Sequence, residues 1–130
     1  MSKQFDFSGI WKSTYRYPSS SRKDTFVGEH FVQFFRAGNE LVIQSTPNES
    51  GSYLIMRLTL DDRILTGTWH EYTSQEGHYK GAIYYGAIQL VIDESANTIR
   101  GKWVGFTKDM HVESDEWTLT RTDEAHSRPE

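Results

Sequence analysis

LTGTWHEYTSQEGHYKGAIYYGAIQL, residues 65–90, holds one Trp, two His, two Glu and four Tyr. Its first part steps in twos: Leu65, Gly67, Trp69 and Glu71 share one face of an extended chain, because successive side chains of a strand point to opposite sides. SQEG then supplies a turn, and a second run places Ala82, Tyr84, Gly86, Ile88 and Leu90 on one face. Two period-two runs joined by a short polar turn form an antiparallel pair. The stretch is therefore sheet, and the remainder of the chain extends the same pattern.

Turn residues interrupt that pattern every 8 to 15 positions or so. Reading outward gives eight strands: about Gly9–Tyr17, Thr25–Arg36, Leu41–Thr46, Ser52–Leu60, Ile64–Thr73, His78–Ile92, Thr98–Phe106 and His111–Thr122. PSSSRKD, AGNE, PNESG, DD, SQEG and DESAN punctuate them. Nothing longer than a turn repeats every 3.6 residues, so little or no helix is expected. Consecutive strands with short connections make a meander. About eight of them can close into an up-and-down antiparallel barrel with no exposed sheet edge. The expected fold is an all-β, single-domain barrel over residues 1–122, with a disordered tail at 123–130.

Composition agrees. A chain of 130 residues fits one domain. Aromatics reach 14%, and such residues fit pleated, half-buried surfaces. The net charge of −4 argues against a protein that coats duplex nucleic acid, which would show a basic face. Cysteine is absent, which excludes a disulfide framework, a thiol nucleophile and cysteine-based zinc sites. The longest apolar run, GAIYYGAIQLVI, is too short and too polar for a membrane helix. No apolar leader is visible, so the expected location is cytoplasmic.

Two short segments resemble the calycin superfamily of ligand-binding barrels, the lipocalins and avidins among them: FSGIWKS with Trp11, and EWTLTR with Arg121. The resemblance implies that Trp11 plugs one end of the barrel under the Arg121 guanidinium, a cation–π contact. GEHFV, SGSYLIMRL, LTGTWHEYTSQEGHYKGAIYYGAIQLVID and GKWVGFTKDMHVESDEWTL together resemble an uncharacterised C-terminal domain of actinobacterial helix-turn-helix regulators. The layout is also similar, more distantly, to the cyclic-oligonucleotide-binding barrel of bacterial anti-phage effectors. These resemblances imply a sensor that reports a ligand to an attached output domain. Neither a helix-turn-helix nor membrane helices are present in this sequence.

His70, Glu71 and His78 can each ligate a metal, as can Glu29 with His30. However, His70 and Glu71 fall on opposite faces of one strand, and the spacing fits no zinc motif; no metal or cofactor is expected. Glu71 beside Trp69 is a carboxylate in an aromatic setting, where burial raises its pKa. Such a group can act as general acid or base, or simply accept hydrogen bonds. No nucleophile elbow, phosphate loop or dinucleotide fingerprint accompanies it, so the expectation is a non-enzymatic binding protein.

Trp69, Glu71, Tyr84 and Trp103 then form an inward pocket for a small flat ligand such as a nucleotide or cyclic nucleotide, with Tyr15, Arg16 and Lys80 as further ligand-binding residues. Lys12, Arg22 and Lys23 add local cations. The alternative is a barrel packed solid that acts as an interaction or oligomerisation module. Its contact face would be the outside of the sixth strand, around Ile83 and Tyr85.

Overall fold

The computed structural model describes residues 5–19, 24–46, 51–73, 83–106 and 110–122, with backbone only at 18, 19 and 24–26. Eight antiparallel strands follow one another: β1 (Trp11–Ser19), β2 (Asp24–Ala37), β3 (Glu40–Ser45), β4 (Tyr53–Asp61), β5 (Ile64–Tyr72), β6 (Ile83–Ile92), β7 (Thr98–Phe106) and β8 (Val112–Arg121). Each pairs with the next, and β8 pairs with β1, so the sheet closes. The barrel has the architecture expected from the period-two pattern and is consistent with a calycin-like fold. No helix among the described residues is long and apolar enough to cross a membrane. The expected tail, 123–130, lies outside the described residues.

Observed strand ends differ from the sequence boundaries by a few residues. β1 begins at Trp11 rather than Gly9, because Gly9 adopts φ 90° and turns the chain into the strand. β6 is described from Ile83; His78 to Ala82 lie outside the described residues.

Alternation decides what enters the lumen. Leu54, Met56 and Leu58 of β4, Leu65 and Trp69 of β5, Ile88 and Leu90 of β6, and Ile99 and Trp103 of β7 are all buried. Their strand neighbours Arg57, Thr66, Gln89 and Arg100 are exposed. Aliphatic side chains thus form a continuous core, whose burial is the main favourable contribution to folding.

One end of the barrel is shut. Trp11 is fully buried and pairs across strands with Arg121. The Arg121 Cζ stands 4.3 Å over the Trp11 ring. Phe7 stacks on Phe34 at 4.9 Å, and Phe34 meets Trp11 at 5.1 Å. The guanidinium also donates to the carbonyls of Asp6, Ser8 and Ala96 and to Asn97 Oδ1. One side chain therefore ties the N-terminal segment, the β6–β7 turn and the plug together. At the opposite end, the connections β1–β2, β3–β4, β5–β6 and β7–β8 include residues 20–23, 47–50, 74–82 and 107–109, which lie outside the described residues.

Arg121→Ala orphans several carbonyls at once and is expected to destabilise the fold by about 2–3 kcal/mol. Arg121→Lys keeps the charge but not the planar fork, so it should recover less than half of that loss. Urea unfolding of the three proteins measures this; a full recovery by lysine would show that charge alone matters.

Candidate functional site

Tyr15, Glu71 and His30 meet inside the barrel. Tyr15 of β1 and Glu71 of β5 come from opposite walls, and the Tyr15 hydroxyl donates to Glu71 Oε2 at 2.5 Å. His30 of β2 brings its Nε2 to the same oxygen at 3.1 Å. Only 4% of the His30 side chain and 15% of the Glu71 side chain are exposed.

The local sequence explains how Tyr15 reaches so far. Its cross-strand partner is Gly28, and a Cβ at that position would collide with the tyrosine ring. The ring lies over bare glycine backbone and is stacked on Trp117 at 4.4 Å. It also runs nearly parallel to the His30 ring, 7° between planes. Two residues further along β2, on the same face as Gly28, stands His30.

Burial sets the charges. It pushes the Glu71 carboxyl above its ordinary 4.5, and the Tyr15 hydrogen bond draws it part of the way back. It pushes His30 below its ordinary 6.5, with the Glu29 carboxylate opposing that shift. Glu71 and His30 are close enough for an ion pair, but desolvation of both groups opposes one, so a neutral ring is the favoured state. The other ring nitrogen, His30 Nδ1, is buried and has no hydrogen-bond partner among the described residues. Buried polar atoms are nearly always paired, and an orphan of this kind costs about 1–3 kcal/mol.

The tryptophans are committed to one another. Trp69 meets Trp103 edge-on at 5.6 Å and Trp117 at 5.5 Å. Trp69 Nε1 donates to the carbonyls of Ala87 and Val104. Those carbonyls are reachable because Gly86 and Gly105 pair beside the indole; a Cβ on Gly105 would touch Trp69 at 3.0 Å. Trp103 Nε1 donates to Arg16 O at 2.9 Å, and Trp117 Nε1 to Ser13 Oγ at 2.7 Å. Every indole N–H of this group is satisfied internally, leaving only ring faces and edges for anything else.

Of the residues singled out from sequence, Trp69, Glu71, Trp103 and Tyr15 lie on the lumen side. Tyr84, paired with Glu71 across β5 and β6, packs half-buried against the core. Arg16 is exposed on the outer face of β1. Lys12 is also outward, near Glu29. Lys80, Arg22 and Lys23 lie outside the described residues. His70 faces out, stacked on Tyr85 at 5.6 Å, while Glu71 faces in. Ile83 and Tyr85 are each 56% exposed on the outside of β6. His30 and Trp117 were missed as members of one group. The available signal was G-x-H in FVGEHFV, which places glycine and histidine on one face of β2.

Glu71→Gln keeps the size and the acceptor for Tyr15 while removing the buried charge. Because the folded-state pKa of Glu71 is raised, its neutral form stabilises the fold below pH 4.5, and that contribution is lost as pH rises through the higher folded-state value. The variant should therefore gain stability relative to the parent between pH 4 and pH 8. A difference independent of pH in denaturant titrations would contradict the buried carboxylate. No family model matches this chain, and no curated protein or solved structure matches it either, so its own residues carry the functional reading.

Proposed function

We propose that this protein is a non-enzymatic small-molecule-binding barrel, a sensor whose ligand enters the lumen and completes the hydrogen bonding of Tyr15, Glu71 and His30. The observation that carries the reading is the orphaned Nδ1 of His30 beside a carboxylate held by Tyr15. A few polar groups converging on an otherwise apolar, aromatic interior is the usual composition of a small-molecule site. The Tyr15 hydroxyl and the His30 ring hold the carboxylate in place before a ligand arrives, which lowers the ordering needed on binding.

The sensor role has support in β6. Tyr84 faces the lumen while Ile83 and Tyr85 stand exposed on the other side of the same strand. A ligand that moves this strand from inside alters a surface on which another protein or domain can dock. A nucleobase fits the acceptor character of Glu71 through its amino group. The phosphates of a nucleotide would need cations, and the nearby ones proposed from sequence face outward or lie outside the described residues.

A thermal-shift screen of the full chain against nucleotides, free bases and common metabolites tests the proposal. A ligand that binds only the folded state raises Tm in a concentration-dependent way. Tyr15→Phe retains the ring against Gly28 and Trp117, so it should stay folded while losing about 1 kcal/mol. The shift should shrink in this variant. No shift from any compound, or a shift untouched by Tyr15→Phe, would contradict a site at this group.

A further inference from the structure

Among the described residues, the inward-facing Asp, Glu, Lys and Arg side chains above the closed end are all carboxyls. Along β8, Glu113 and Asp115 share the face of buried Trp117 and Leu119, with exposed Ser114 and Glu116 between them. Asp115 pairs across strands with Trp103 and Glu113 with Gly105. Glu71 makes a third inward carboxyl. By contrast, Lys12, Arg16, Arg57, Arg100 and Lys102 are all exposed, each out of phase with the buried residues of its strand; Arg36, in phase with Val32 and Phe34, is exposed at the closed end, where it donates to Gly38 O. Arg63 serves the β4–β5 turn by donating to Ile92 O, and Arg121 is held at the closed end. Among the described residues, no lysine or arginine faces the lumen above that closure.

Three carboxyls alone would not make a site. The buried Nδ1 of His30 is the independent observation. When Nε2–H donates to an ionised Glu71, Nδ1 is a bare acceptor, so it and the carboxylate both call for N–H donors. The ring faces of Trp69, Trp103 and Tyr84 add the negative faces that attract cations. A phosphate would meet repulsion from every inward charge.

We infer that the lumen takes a small organic cation with N–H donors, an amine or guanidinium, in preference to an anionic nucleotide. The inference rests on the binding reading above and specifies its ligand class. One N–H group of the ligand donates to Glu71 and a second, separate one to His30 Nδ1 on the far side of the ring, and Glu113 and Asp115 supply field along its path.

Thermal shift and calorimetry on the full chain, at fixed ionic strength, compare agmatine and spermidine with adenosine monophosphate and a cyclic dinucleotide. An amine should raise Tm and bind, and the nucleotides should not. Affinity should fall at least about tenfold in Glu71→Gln and less in Asp115→Asn, while Glu94→Gln, in the exposed β6–β7 turn, leaves it unchanged. Asp115→Asn serves alone if Glu71→Gln is misfolded by circular dichroism. A nucleotide shift without an amine shift overturns the ligand class and leaves the binding reading standing. An amine shift equal in all variants places the amine on the acidic exterior and overturns the inference. No shift from either class, in a chain that other metabolites also leave unchanged, removes both.

Discussion

Pairing β8 with β1 is the constraint on which everything else depends. Once the sheet closes, every second side chain must share one narrow lumen, and whatever polar group arrives there must find a partner inside. Most of the interior meets that demand with aliphatic packing. The tryptophans meet it by donating to backbone carbonyls and to Ser13. Arg121 meets it at the closed end by spreading its donors over four acceptors. Among the described residues, His30 Nδ1 is the atom left over.

That exception sits beside the Glu71 carboxyl, which burial pushes above its ordinary pKa. A fold selected only for stability would replace Glu71 and His30 by apolar side chains of similar volume, since buried ionisable pairs are rarely worth their desolvation. Retaining both, with Tyr15 spanning the lumen to hold the carboxylate, is the arrangement of a prepared acceptor site. Perturbed titratable groups gather at functional sites for this reason. The aromatic cluster beside them gives the site rigid walls, because each indole is fixed by its own hydrogen bond as well as by ring contacts.

The fold was legible because period two is a strong local signal. The inward face follows from alternation in β4, β5 and β7, where the more buried residues fall at every second position through most of each strand. Trp69 and Glu71 could be set on one face for the same reason. The three-residue group was not legible, because Tyr15, His30 and Glu71 are 15, 41 and 56 positions apart pairwise and meet only through closure. Gly28 was the hidden determinant: a glycine in a strand signals a close approach, but not which ring approaches. The outward turn of Arg16 follows from alternation with Tyr15, whereas its carbonyl contact with Trp103 depends on the cross-barrel geometry.

The site depends on the protonation state of one imidazole, that of His30. Long-range proton–nitrogen NMR of selectively labelled histidine reads the two ring nitrogens of His30 directly. A neutral ring at pH 7 that resists protonation below pH 6.5, with Nδ1 changing its shift when a ligand binds, is the predicted result. An imidazolium form of His30 near pH 7, or an Nδ1 signal indifferent to every ligand that stabilises the protein, would contradict it.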